Sequence, residues 1–391
     1  MRLYGQELTR REVAALSGDL AQFAGVRLVT LADGAEAGQR VLEFRPGTGL
    51  RFTLMVDRCL DIGSCDYNGM AIGWTSAAGF RAPALHDPEG EDGLGFMRSF
   101  SGLLMTCGLD HILGSHTVDV PEYNYPGRPT ATYGIHGRVS MLPARLTGYG
   151  ERWEGDRCFL WAEGTVRQSA VFAEDLELIR RIEIEVGTND IQLSDEVRNR
   201  GFNRTPHMLC YHINLGYPVL AEGARYLAPI EDVVWAAHAD TYTDQSVGYA
   251  RPSGPAHTFR EQVWQHEMKA DTAGDVAIAL VNDALPLGLE VKTRKSELPC
   301  TYEWQHLQSG GYAFGIEPST HHVLGNQFAR DRGEMIWLGH GDSRCYTVRF
   351  RVLTNADEIA QSEAAIKATQ QQPIDPFPTP SGHFRTIPGR K

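Results

Sequence analysis

The 391-residue sequence predicts a mainly all-β fold, and three observations carry that prediction. Most apolar runs are short and alternate with polar residues, which is the period of a half-buried strand. Turn residues punctuate these runs, and the 41 glycines suit many tight turns better than a helix bundle. Only two stretches carry helical spacing, and both are short. No tandem repeat or linker interrupts residues 1–368, which read as a single domain, since β sandwiches and barrels often exceed the usual domain size. Residues 369–391 form a Pro-rich C-terminal tail.

The first element is a flanking helix at about residues 8–24. Thr9 is its N-cap, Glu12 three residues later completes a capping box, and Val13, Leu16 and Leu20 lie at helical spacing. A meander follows in "VRLVTLADG", "QRVLEFRPGTG", "LRFTLMVDRCLDIG" and "CDYNGMAIGW". Between residues 80 and 132, "APALHDPEGEDGLG" and "VDVPEYNYPGRPTA" predict long loops around the apolar piece "FSGLLMTCGL"; such loops in a compact domain are usually functional or disordered. The clearest hairpin is "LIRRIEIEVGTNDIQLSDEVRNRG". Ile182, Ile184 and Val186 alternate with charged residues, "GTND" turns, and Ile191, Leu193 and Val197 return.

Next comes "CYHINLGYP", residues 210–218. Leu209, Tyr211, Ile213 and Leu215 point one way, and Cys210, His212 and Asn214 point the other. One face reads as core and the other as the floor of a polar cavity. Later strands are "VAIALVND", "LGLEVKTRK", "YAFGIEPST" and "CYTVRFRVL", and a short helix capped by Asn355 is expected in "NADEIAQSEAAIKATQ". The tail "QQQPIDPFPTPSGHFRTIPGRK" has little to bury, so it either wraps the surface or stays disordered.

Composition excludes several classes. A formal charge of −12, with no block of Lys and Arg, argues against nucleic-acid binding. The opening "MRLYGQELTRREVAALSGDLAQ" lacks the apolar core of a secretory signal, and no apolar run reaches the roughly 18 residues of a membrane span, so a cytoplasmic protein is expected. Cys59, Cys65, Cys107, Cys158, Cys210, Cys300 and Cys345 are odd in number, scattered and never in a CxxC pair, which suits reduced thiols better than disulfides or a zinc site. Neither GxGxxG nor a P-loop occurs in a strand-to-helix context, which argues against nucleotide or redox chemistry.

Three segments hold the candidate chemistry. His136 sits in the Gly-flanked "YGIHGRVSM", read as a strand whose alternate face carries Arg138. His212 shares its face with Asn214. In "YAFGIEPST" the face-mates of Glu317 are Ala313 and Gly315, small enough to leave room for a carboxylate, and Pro318 suits a strand end at a cavity rim. Singly, a strand histidine is more often a satisfied structural residue, and a buried glutamate can simply pair with an arginine. Burying a carboxylate is nonetheless costly, and three such residues together carry more weight than each alone.

The order of a strand with "HG", a hairpin with "VRNRG", a strand with "H-x-N-L-G-Y-P" and a late "G-x-E-P" resembles the aldose 1-epimerase, or galactose mutarotase-like, superfamily. Within it the motifs "CGLD", "HGR" and "YHINLGYP" resemble a bacterial branch, and the likeness spans roughly residues 40–355. The resemblance implies a β-supersandwich with a few short flanking helices and an open concave sheet lined by polar residues. It implies Glu317 as the base that takes the anomeric hydroxyl proton, His212 as the acid that protonates the ring oxygen, and His136 as a sugar-binding group, with no cofactor and no metal. Acid and base of this kind each contribute about 10²–10⁴-fold. Arg58 in "MVDRCLDIG" and Arg138 are candidate substrate-binding arginines, although a salt bridge competes for Arg58. Asn214 would orient His212 or a sugar hydroxyl, and Trp304, Trp74 and Tyr312 would stack on the ring or, as is commoner for strand aromatics, pack in the core, with Glu303, Gln305 and His306 as further polar candidates. Asp110 in "CGLD" could bind sugar or simply shape a turn. Better-known members carry an "H-x-Y-F-N-L" strand and a distinct sugar-binding Asp; here the strand reads "H-I-N-L", which leaves the sugar open.

Two other classes compete. A metal-dependent sugar isomerase or epimerase could draw on His111, His116, His321 and His322, but no H-x-H followed by a downstream Glu appears. A non-catalytic sugar-binding protein could use the same concave face. The expected partner is a small-molecule sugar, and exposed sheet edges are compatible with a homodimer.

Overall fold

In the computed structural model, which describes residues 1–237, 248–370 and 379–387, every ladder between strands is antiparallel and three sheets carry the architecture. A five-stranded meander runs in sequence order through Gly25–Thr30, Arg40–Arg45, Leu50–Met55, Asp61–Tyr67 and Met70–Ala71. An eight-stranded sheet is ordered Arg145–Glu154, Arg157–Ser169, Asp175–Glu185, Asp190–Asn199, Ser343–Leu353, Leu287–Arg294, Asp275–Asn282 and Arg225–Leu227. A seven-stranded sheet is ordered Ile230–Ala236, Gln262–Met268, Cys300–His306, Ala313–Ser319, Thr205–Leu215 and Ile336–Leu338, with Leu104–Leu109 also paired to Thr205–Leu215.

Alternation along the strands decides which faces meet. Leu160, Ile182, Leu193 and Val348 of the eight-stranded sheet share one apolar cluster with Leu209, Tyr211, Ile213 and Ile316 of the seven-stranded sheet and Leu42, Phe44 and Phe52 of the meander. The result is a sandwich in which the seven-stranded sheet keeps its other face for the site. Buried between the three sheets, Arg180 donates to Asp195 at 2.7 and 2.9 Å, to Asp61 at 2.6 Å and to Thr106 Oγ1 at 2.8 Å. Thr106 in turn donates to Asp61 and Tyr211 OH to Asp195, so each buried charge is paired and hydrogen-bonded, as such charges must be.

Several expectations are refined. The capping box of Thr9 and Glu12 forms, but the helix spans only Arg10–Leu16 before a 3₁₀ turn at Leu20–Gln22 capped by Asp19, and Leu16 faces solvent. Ser17 and Gly18 interrupt it. "LRFTLMVDRCLDIG" is two strands rather than one, because Cys59 and Leu60 adopt left-handed φ of 59° and 56° and reverse the chain around Arg58. The 80–132 region is more ordered than loops alone: it holds the strand Leu104–Leu109 and a small hairpin of His116–Asp119 with Thr130–Tyr133. Asn355 caps the helix Ala356–Thr369, whose Ile359 and Ile366 pack on Ala279, Val281 and Leu353.

Of the tail, residues 379–387 lie on the surface. Ser381 and Gly382 donate backbone hydrogen bonds to the carbonyls of Val233 and Val234 on the edge strand Ile230–Ala236, and Ile387 is buried. Thr369 ends the preceding helix and Gln370 caps it, and residues 371–378 and 388–391 lie outside the described residues. The seven cysteines form no disulfide, and six are buried. Among the described residues no helix is long and apolar enough to cross a membrane.

Candidate active site

Register builds the site. Val263 pairs with Trp304, Trp304 with Gly315 and Gly315 with Asn214, so these four form one row across the face of the seven-stranded sheet. In the adjacent row Tyr302 pairs with Glu317 and His212 with Met105. The pairs Cys210 with Ser319 and Ile213 with Ile316 fix the intervening register, which sets His212 opposite Glu317. Pro318, lacking an N–H, leaves a gap in that ladder, yet the strand continues through it to Ser319 rather than ending at the rim as expected. Gly315 makes the room the carboxylate needs: a Cβ there would stand 3.1 Å from Glu317 Oε1 and 3.0 Å from Trp304 Cβ.

His212 Nε2 lies 3.3 Å from Glu317 Oε1. His136 reaches the same spot from another element, with its ring centroid 5.3 Å from that of His212. It is not on a strand, as the sequence suggested. His136 and Gly137 take left-handed φ of 61° and 71°, and a side chain on Gly137 would meet the Gly108 carbonyl at 2.4 Å. The turn is anchored by His136 N donating to Leu113 O and Gly108 N donating to His136 O, at 2.8 and 3.0 Å.

These groups line a cavity of about 650 Å³, within the usual range for small-molecule sites of about 300–1,000 Å³. An aromatic wall closes it. Phe100 stands 4.8 Å from His212, 5.6 Å from Trp304 and 5.3 Å from Trp74, and the His306 ring stacks on Trp304 at 5.7 Å. Burial pushes Glu317 up to about 7, against the pull of His136, and pushes His212 well below the ordinary imidazole value, with His136 adding to the fall. Burial lowers His136 as well. The site therefore favours a neutral carboxyl beside neutral imidazoles.

Of the eight candidate residues, Glu317, His212, His136 and Trp304 line the cavity, as do Trp74 and His306. The others stand behind it. Among the described residues Arg58 makes no salt bridge: its Nη2 donates to Ser99 O at 2.5 Å and Ser101 O at 3.2 Å and contacts Met105 Sδ at 2.8 Å, while Nε and Nη1 are buried with no hydrogen-bond partner among those residues. Asn214 donates to Gly102 O and His212 O. Both therefore hold the segment that carries Phe100. Arg138 is bound between Glu89 and Glu174 at 2.6 and 3.0 Å. Asp110 accepts from Gln168 at 2.8 Å, and burial, reinforced by Glu174, raises it to about 6. Glu303 lies on the opposite face with His266, and Tyr312 donates to Ser253 O. His322 is occupied by Gln265 and the Arg385 carbonyl, and among the described residues no three metal-ligating side chains converge.

Glu261 was missed. It lines the cavity and accepts the Trp304 indole N–H at 3.1 Å. The signal lies in "EQVWQHEM", whose alternation makes a strand from Gln262 to Met268 and sets Glu261, just ahead of it, two residues from the cavity-lining Val263.

A site on the open face of a large antiparallel sandwich, built in this strand order, defines a galactose mutarotase-like fold. A solved structure from Klebsiella pneumoniae subsp. pneumoniae, described as a "putative aldose 1-epimerase", matches with a TM-score of 0.77 over 88% of this chain and 88% of that one, at 24% identity. A galactose mutarotase-like protein from Clostridium acetobutylicum matches at 0.57 over 84% and 98% of the two chains, with 10% identity. The GalM/aldose epimerase homologue from C. elegans matches at 0.53 over 81% and 100%, with 12% identity. At these identities the likeness establishes the fold. By sequence, the chain belongs to the family described as domain of unknown function DUF4432, whose model matches residues 36–352. No curated protein matches it.

Proposed function

We propose that the protein is an aldose 1-epimerase-like isomerase that interconverts the anomers of a free or modified sugar. The observation that carries this reading is the cross-strand pair of His212 and Glu317, 3.3 Å apart on a cavity floor. Anomer exchange moves protons at two oxygens attached to one carbon, so its acid and base must be close neighbours, and cross-strand partners are.

Glu317 takes the proton of the anomeric hydroxyl as the C1–O bond to the ring oxygen breaks and the C1 carbonyl forms. His212 gives a proton to the ring oxygen. Rotation about C1–C2 and reclosure, with the roles reversed, yield the other anomer. His136 hydrogen-bonds the sugar and steadies the developing charge, and Trp304, Trp74 and Phe100 offer apolar faces to the ring. The pair must hold one proton in total, on His212 in the reactive arrangement and on Glu317 in the resting one.

The test is anomer exchange by NMR saturation transfer on hexoses, pentoses, deoxy, keto and acidic sugars. Exchange on at least one sugar, slowed about 10²–10⁴-fold or more by Glu317→Gln, is expected. Binding without exchange would point to the sugar-binding reading, and neither binding nor exchange would remove both.

A further inference from the structure

Among the described residues the cavity lining carries two acidic side chains and no lysine or arginine. Glu317 is one. Glu261 is the other, an exposed residue just ahead of the Gln262–Met268 strand whose Oε2 accepts the Trp304 indole N–H at 3.1 Å. The rest of the wall is largely aromatic and aliphatic, with Ala77, Ala78, Met97, Ile135, Val263 and Val323 facing the space. Proteins that recognise phosphate or carboxylate groups do so with Arg, Lys or convergent backbone N–H groups. Here an anionic substituent would instead meet the Glu261 carboxylate with no cation in the lining to offset it.

We propose that Glu261 sets the charge class of the ligand, so that the cavity takes an uncharged sugar and rejects uronates and sugar phosphates. This rests on the sugar-isomerase reading and narrows it. Glu261 acts in two ways: its charge repels an anionic group, and its carboxylate accepts hydrogen bonds from the hydroxyls of a neutral ring. Its charge is felt across the cavity, where it adds to the burial that raises Glu317 and opposes the burial that lowers His136 and His306. The apolar wall suits a sugar whose C6 carries no charge, including a deoxy sugar, because a buried charge without a partner is far costlier there than a methyl group.

A set of ligands differing only at C6 tests this: galactose, 6-deoxygalactose, galacturonate and galactose 6-phosphate, with the corresponding gluco series. Binding is measured by ligand-observed NMR titration on Glu317→Gln, which separates affinity from turnover, and on Glu317→Gln/Glu261→Gln, where the new amide keeps an oxygen for the Trp304 indole. The neutral members are expected to bind at least about tenfold more tightly than their anionic counterparts, and the gap to shrink several-fold in the double variant. Anions binding as tightly as their neutral parents would overturn the proposal, as would a gap that persists unchanged once Glu261 is neutral. If no sugar binds Glu317→Gln and the wild-type protein exchanges none, the isomerase reading itself fails; anion binding would sink only the charge-class assignment.

Discussion

Glu317 is a glutamate kept from ionising by its own surroundings, and two consequences follow. The first concerns rate. If the active pair holds one proton, losing it as pH rises through about 7 leaves no acid, so kcat/KM should be flat on the acid side and fall above that midpoint. An activity that rises through pH 7 would mean that the pair works unprotonated, with His212 as a neutral N–H donor. The second concerns stability. In the unfolded chain the carboxyl ionises near 4.5, whereas in the fold it keeps its proton to about 7. Between those values the unfolded state binds fewer protons, so native stability falls as pH rises across the window, by up to about 3 kcal/mol. Glu317→Gln removes this penalty. In urea unfolding the variant should match the wild type near pH 4.5 and exceed it near pH 8, and equal stability at both would disprove the burial cost. Parity of side chains along "CYHINLGYP" and "YAFGIEPST" made this pair legible. It could not reveal the turn at His136, because only the packing of Gly137 against Gly108 shows why the chain there goes left-handed.

At the scale of the element, the segment from Ser99 to Leu103 governs the aromatic wall. Arg58 holds the carbonyls on either side of Phe100, and Asn214 holds the next one. Burial lowers the Arg58 guanidinium to about 10, so it keeps its charge at neutral pH. Arg58→Met should loosen the wall and raise KM by roughly 10–100-fold, the worth of one or two buried hydrogen bonds, while leaving the pH midpoint where it is. Arg58→Lys, which can still donate to a carbonyl, should recover part of the loss. An unchanged KM would show that Phe100 is held by packing alone. A sequence marks Arg58 and Asn214 as polar residues near a site but cannot distinguish the cavity side of a wall from its back. That depends on the turn at Cys59 and Leu60, whose left-handed geometry no residue type announces.

On the scale of the molecule, the β class, the hairpin at residues 178–201 and the polar face of "CYHINLGYP" followed from alternation. The pairing of sheets did not. Arg180 shares the core-facing parity of Ile182 and Ile184, and its neighbour Arg181 faces outward to Glu183, so parity alone predicts a buried arginine. What it cannot supply is the partner Asp61, 119 positions earlier on another sheet. The tail posed the same difficulty, since a Pro-rich segment with few apolar residues gives no local sign of where it will lie.

That tail covers part of a sheet edge. Where Ser381 and Gly382 occupy the backbone of Val233 and Val234, they take up a strand edge that would otherwise be free to template a neighbouring chain. Resistance to self-association is therefore predicted to depend on this short peptide. A chain ending before residue 379 should remain folded but sediment as larger species at high concentration in analytical ultracentrifugation, whereas the full chain should not. Unchanged sedimentation would mean that the edge is guarded by its twist and its charged residues without help.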